Sequence, residues 1–437
     1  MYRVWNFLTS YSLLLLIGAL IALIWANLDL LLPVPGQPSY YIDLYHGIVD
    51  YPIWKDGPIG YIKEGYPGAR ILTPHYLVND LLMALFFAIA GKEVWEAVAL
   101  KSGSLRGKKA ISPLFATVGG MAGPIMIYLG IAYFLGSTTF EAVANGWAVP
   151  TATDIAFSYL IGRIVFGAGH PAVRFLLLLA IADDAIGLVI LAVFYPSAEL
   201  APLWLLVAVG AAVAVYILAN WLPRQLDRGR EMRPASTWMR KKASFWPYLL
   251  AGSISWYAFM RSGIHPALGL LFIVPTIPHA ERAYGIFSAA ESHLKDLLNT
   301  MEHRLKHPVE IVLFFFGLFN AGVQFSSIGT ATWLVLGGLL LGKPLGIFAM
   351  GWLGARVFGF GLPEGMKTSD LFVLGCVAAI GFTVALFVAS VAFPAGGIQD
   401  AAKMGALLSF SAALISLLAG WILRVEKSED DRVNYNL

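Results

Sequence analysis

Two adjacent aspartates, Asp183 and Asp184, sit near the middle of "RFLLLLAIADDAIGLVILAVFY", which runs from Arg174 to Tyr195 and is otherwise apolar or glycine from Phe175 onward. A charge at the centre of a membrane helix costs about 2.5 to 3.5 kcal/mol on insertion scales, so carboxylates there must face a polar site rather than lipid. Neighbours on a helix point about 100° apart, which prevents both from meeting one partner in the same way. The spacing leaves one to pair internally while the other faces an ion pathway. Hard cations take oxygen ligands, and protons compete for the same carboxylate oxygens.

The candidate partner is Lys343 in "LLLGKPLGIF", followed directly by Pro344. The window from Gly337 to Lys343 reads G-x-x-x-x-G-K, as in a phosphate-binding loop. Pro344 stands where that motif requires Ser or Thr, and no strand precedes it. A buried lysine beside carboxylates serves instead as a proton carrier or an electrostatic lock. Two further segments read as interrupted helices. "AVPTATDIAFSYL" brings Pro150, Thr151, Thr153 and Asp154 to the start of a helix, and "VAAIGFTVALF" puts Gly381, Phe382 and Thr383 inside an apolar run. Backbone breaks at membrane depth persist where they line a cavity or are buried in protein. The free helix ends carry partial charges that an Asp or Lys can offset.

The elements that position these residues follow from composition. With 58% hydrophobic residues, 13% charged residues and a mean hydropathy of +0.71, the chain reads as an all-α polytopic membrane protein forming a single domain over residues 1 to 437. About 20 apolar residues cross a bilayer core. Twelve candidate spans lie near 11 to 32, 76 to 98, 113 to 136, 148 to 165, 173 to 195, 200 to 221, 245 to 261, 265 to 277, 308 to 326, 331 to 353, 370 to 391 and 403 to 424. The first is too long for a signal-peptide core and reads as a retained helix. The spans at 148, 265 and 308 read as short or broken, and the fourth and eleventh carry the interruptions, each the middle of a helix triplet (113 to 195 and 331 to 424). Repeats of three helices must be inverted, an architecture of secondary transporters.

Of the 30 Lys and Arg residues, only Lys55, Lys63, Arg70, Arg261 and Lys403 fall on one side of this arrangement and Lys343 within a span. By the positive-inside rule the side rich in Lys and Arg, with both termini, is cytoplasmic. The basic runs 101 to 109 and 223 to 242 therefore read as topology determinants and not as nucleic-acid sites. A single cysteine, Cys376, excludes an intrachain disulfide. The long outer segment 33 to 75 carries an Asp-Gly pair at Asp56 and Gly57 that predicts a β-hairpin.

The ordered motifs "VPTATDIAFSYL", "LAIADDAIGLVIL", "FGLFNAGV", "LGKPLGIF" and "AIGFTVALFVASVAF" closely resemble the NhaA-type Na⁺/H⁺ antiporters over about residues 76 to 424. That family is itself a known instance of inverted repeats, so the repeat reading is not independent of the resemblance. The resemblance implies a multi-pass antiporter of the bacterial inner membrane, usually a homodimer, with crossed, broken fourth and eleventh helices. It implies no cofactor and no enzymatic activity; the partners are Na⁺ or Li⁺, H⁺ and the lipid bilayer. Asp184 matches the principal Na⁺ or Li⁺ ligand, Asp183 the carboxylate paired with Lys343, and Thr153 and Asp154 the pair at the fourth-helix break. Asn79 and Asp80 match a pair near the outer end of the second helix. Asp80, Gly381 and Thr383 are expected to support the core. Glu93, Glu96, Glu302, His303 and His307 are the candidates for pH response; histidine is the side chain that changes charge near neutral pH.

The chain departs from the family pattern in four places. Ala97 stands where a second Glu is usual, and Lys92 at a normally apolar position. "MEHRLKHP" has one residue more than the family's pH-sensing loop, and the segment 33 to 75, where the family's dimer hairpin lies, is longer than usual. A sodium-coupled organic-anion symporter on the same scaffold would require Asn, Gln or Arg at the broken helices, which here carry small residues and hydroxyls. A passive cation channel is opposed by Lys343 beside the carboxylates. No nucleophile and base stand together in the spans as an enzyme would need.

Overall fold

Apolar runs punctuated by Gly and Pro fold as helices that start, bend and stop at those residues. The computed structural model describes residues 12–62, 69–100, 103–105, 110–228, 232–278 and 297–428. Lys63 and parts of the basic runs 101 to 109 and 223 to 242 lie outside the described residues. Among the described residues, five helices are long and apolar enough to cross a membrane: Ile111–Phe134, Pro171–Phe194, Leu203–Leu226, Thr330–Val357 and Gly397–Ile422. Thr368–Ala378 and Phe382–Ala392 together form a sixth, bent by 52° at its break. Leu13–Ala26 and Ile155–Phe166 are shorter apolar helices.

The chain divides into two compact units. The first comprises Met1–Gly47, Ser104–Gly187 and Gly317–Leu437; the second comprises Ile48–Gly103 and Leu188–Phe316. In the first, buried Val165, Phe175, Leu179, Ile347, Leu374 and Val377 form one apolar cluster to which the helices that carry Asp183 and Lys343 both contribute. Apolar side chains gain little from leaving lipid, so close backbone approach holds such helices together. A Cβ on Gly119 would lie 2.0 Å from the Gly346 carbonyl oxygen, and one on Gly123 would lie 2.2 Å from that of Gly342. Only glycine fits, and the helix Ile111–Phe134 lies directly against the helix bearing Lys343.

Several expectations are corrected. The predicted span 265 to 277 is not an α-helix: Pro266 and Pro275 lie at the start of two 3₁₀ turns, as the first residue of Pro266–Leu268 and the second of Val274–Thr276. The predicted span 308 to 326 starts earlier, as the helix Leu297–Asn320 with Pro308 inside it, so Glu302, His303 and His307 lie on a helix and not in a loop. Beyond Asn320 comes an interruption, in a span whose hydropathy reads as short or broken. There the Asn27 amide donates to the Val323 carbonyl (2.9 Å), and its oxygen accepts from the Phe325 N–H (2.8 Å).

The fold is not wholly α-helical. Strands β1 (Trp54–Gly57), β2 (Tyr61–Ile62) and β3 (Arg70–Leu72) form an antiparallel sheet in the order β1-β3-β2. The hairpin expected at Asp56 and Gly57 does not form, because β1 and β2 each pair with β3 and not with one another. Gly60, at φ +129°, turns the chain so closely onto Ile71 that a Cβ would lie 2.1 Å from its carbonyl oxygen. Arg70 fastens the same turn by donating to the Gly60 carbonyl.

Candidate functional site

Every interrupted helix leaves unpaired N–H and C=O groups at its ends, and in the first unit these groups account for most of the site's polar contacts. The fourth predicted span is a 3₁₀ segment, Ala144–Thr151, then three extended residues, then the helix Ile155–Phe166. The eleventh is Thr368–Ala378 and Phe382–Ala392, with Ala379 to Gly381 between them. The two breaks bond to one another. The Asp154 N–H donates to the Ile380 carbonyl (2.7 Å), Ser158 donates to that of Val377 (3.1 Å) and Thr153 to that of Ala378 (3.3 Å). A side chain on Gly381 would meet the Ala152 carbonyl at 3.0 Å, so glycine permits this approach.

One carboxylate serves two helix starts. Asp154 caps Ile155–Phe166 through the Phe157 N–H (3.2 Å), and its other oxygen accepts from the Thr383 N–H (3.2 Å) and the Thr383 hydroxyl. A negative charge at a helix N-terminus is favourable, and here two N-termini share it. The free carbonyl end of the 3₁₀ segment receives the opposite charge, because the Lys343 ammonium donates to the Thr151 carbonyl.

The same ammonium donates to Asp183 Oδ2 at 2.8 Å, and Thr153 Oγ1 donates to that oxygen at 2.7 Å. Lys343 is completely buried and Asp183 nearly so, while Asp183 Oδ1 has no hydrogen-bond partner. Asp184 is half-buried, within electrostatic reach of Asp183, Asp154 and Lys343. Thus Asp183, Asp184, Lys343, Thr153, Asp154, Gly381 and Thr383 are gathered in one unit. The arrangement offers carboxylate, hydroxyl and carbonyl oxygens around a single ammonium. Hard cations take oxygen ligands of these kinds, and carboxylate oxygens also take protons.

The second unit holds the remaining candidates. Asp80 is buried and faces His265 Nε2 at 3.6 Å; the Trp256 indole N–H donates to the Asp80 carbonyl (2.8 Å). Asn79 meets the His75 ring at 3.0 Å. Glu93, Glu96 and Glu302 converge on Lys92, whose ammonium lies 3.5, 3.1 and 2.6 Å from their oxygens. His303 and His307 are exposed on the helix that carries Glu302. The sequence shows Lys92 beside Glu93 and Glu96 at the inner end of the second span and as a departure from the family pattern, but it does not single out His265. The Lys92 to Glu96 spacing of four residues was the one local signal for the cluster.

The sequence matches the profile of the family described as Na⁺/H⁺ antiporter 1 over residues 3–423. It is similar to the Na⁺/H⁺ antiporter NhaA of Jannaschia sp. (strain CCS1), with 70% identity over 98% of this chain and 100% of that protein. The Na⁺/H⁺ antiporter NhaA of Geobacter sulfurreducens is 43% identical over 97% of this chain and 98% of its own length. Among solved structures, the sodium proton antiporter MjNhaP1 from Methanocaldococcus jannaschii aligns over 95% of this chain and 91% of its own, at 16% identity and a TM-score of 0.41.

Proposed function

The chain belongs to the Na⁺/H⁺ antiporter 1 family, and from that premise we propose that it is a secondary active antiporter expelling Na⁺ or Li⁺ in exchange for protons at Asp183 and Asp184. The observation that carries the reading is the state of Asp183. One oxygen holds the Lys343 ammonium and the Thr153 hydroxyl, and the other is buried without a partner.

In this reading Na⁺ from the cytoplasm binds the ionised aspartates and displaces Lys343 from Asp183. The loaded core then faces the periplasm, where Na⁺ leaves, protons enter and the core returns. Asp154 and Lys343 keep the charges of the broken helix ends balanced throughout, because each bonds to a break as well as to the site or its neighbours. If the aspartates and Lys343 together carry more protons than Na⁺ ions, each cycle moves net charge. Exchange is then electrogenic, and the membrane potential contributes about 2.3 kcal/mol per charge per 100 mV.

The same reading places the protein in the bacterial inner membrane as a homodimer, with twelve spans and both termini cytoplasmic. The triplets 113 to 195 and 331 to 424 are the inverted repeats, with the fourth and eleventh helices crossing at their breaks. The carboxylates around Lys92, together with His303 and His307, set the pH response.

The test is purified protein in proteoliposomes with an imposed pH gradient and an internal-pH dye, challenged with Na⁺, Li⁺ or K⁺ beside an Asp183→Asn, Asp184→Asn double variant. Na⁺ or Li⁺ drives proton release from the native protein, and the double variant releases none. Absence of cation-driven proton movement in the native protein across pH 6 to 9 would sink the function.

A further inference from the structure

The helix that carries Lys343 is α-helical over Thr330–Gly337 and again over Lys343–Trp352, with a π turn, Gly338–Gly342, between them. The Lys343 N–H reaches back five residues, to the Gly338 carbonyl, where an α-helix would reach back four. The next residue favours the wide turn. Pro344 has no N–H to donate, and its ring presses on the carbonyl four residues earlier, so a regular α-helix cannot run through this point undistorted.

The π turn touches both breaks. A Cβ on Gly338 would lie 2.7 Å from the Pro150 side chain, beside the fourth-helix break, and one on Gly381 would lie 2.9 Å from the Leu339 side chain. Pro344 is held from its other side by the eleventh helix, since a Cβ on Gly375 would lie 2.7 Å from the Pro344 Cα. Lys343 therefore stands where the wide turn gives way to the α-helix, and its reach to Asp183 and to the Thr151 carbonyl depends on which register the backbone keeps.

We propose that Pro344 is a positioning residue for exchange: by withholding an N–H it keeps the π turn open, and the open turn aims the Lys343 ammonium at Asp183. The proposal rests on the reading that Na⁺ takes Asp183 from Lys343. With an N–H at position 344 an α turn can close, and a change of one residue in register turns the lysine by up to about 100° around the helix. The ammonium is then drawn off Asp183, and Na⁺ meets a weaker competitor.

A double-mutant cycle on Na⁺ binding tests this, with calorimetric titration of Na⁺ into purified full-length protein at alkaline pH. Pro344→Ala is expected to tighten Na⁺ binding by about three- to tenfold, and to change it by less than about twofold in a Lys343→Ala background. Pro344→Gly supplies the same N–H with less preference for the α conformation; it gives a smaller shift in the same direction and completes the cycle if the alanine variant does not fold. Equal shifts with and without the lysine, or no shift in either background, would overturn the role of Pro344 and leave the reading of the site intact. If Lys343→Ala by itself leaves Na⁺ affinity unchanged, the lysine does not compete with Na⁺, and the underlying reading fails along with the proposal.

Discussion

Lys343 in one unit and Lys92 in the other are both almost wholly buried, yet their surroundings have opposite consequences. Lys343 meets a single carboxylate, Asp183, which keeps an unpartnered oxygen, and a carbonyl at a helix break. Its own backbone adjoins a π turn. Lys92 lies within a regular α-helix, Met83–Ala99, and is surrounded by the carboxylates of Glu93, Glu96 and Glu302. An ammonium among three carboxylates has no reason to leave. One that shares a single carboxylate with an unpartnered oxygen has fewer attractions to lose, as the proposed exchange at Asp183 requires. Buried charge alone therefore does not distinguish the two lysines; the number of carboxylate partners does.

The contrast is open to measurement. Removing one member of a buried ionic cluster leaves the others uncompensated, so Lys92→Met should cost about 3 to 5 kcal/mol, read as a large fall in the thermal unfolding midpoint. Lys343→Met should cost less, about 1 to 3 kcal/mol, because Asp183 keeps the Thr153 hydroxyl and can take up a proton in place of the lost partner. Its larger effect falls on transport: exchange should lose its response to membrane potential, and persistent voltage-driven exchange would remove the lysine as an obligatory proton carrier. Equal stability losses at the two lysines would break the distinction drawn here. The exposed pair Lys367–Glu426, at 2.7 Å, sets the lower end of the scale. Lys367→Ala should leave the unfolding midpoint where it was, since solvent screens such pairs.

Much of the Asp183 site was legible in the sequence because charge is conspicuous in an apolar run and because Pro150 and Gly381 mark irregular backbone directly. What escaped was set by long-range contact. Lys92 acquires its shortest ion pair from Glu302, 210 residues away, so its spacing to Glu96 conveyed only part of the cluster. Likewise Asn27 fastens the interruption near Val323, and nothing within either segment announces the other. The stretch 265 to 277 reads as a short or broken span and proves not to be an α-helix at all. Its hydropathy is that of a helix, but Pro266 and Pro275 divide it into turns too short to become one. Hydropathy reported where apolar chain is buried; it did not report which residues complete one another's hydrogen bonds.

The contact between Gly119 and Gly346, with Gly123 against Gly342 one turn along, has a mechanical consequence. A joint made of backbone contains no rotamers through which a displacement can be absorbed, and its stiffness is that of the peptide planes themselves. A push on the helix Ile111–Phe134 is therefore transmitted to the backbone on both sides of Lys343 with little loss, as along a strut.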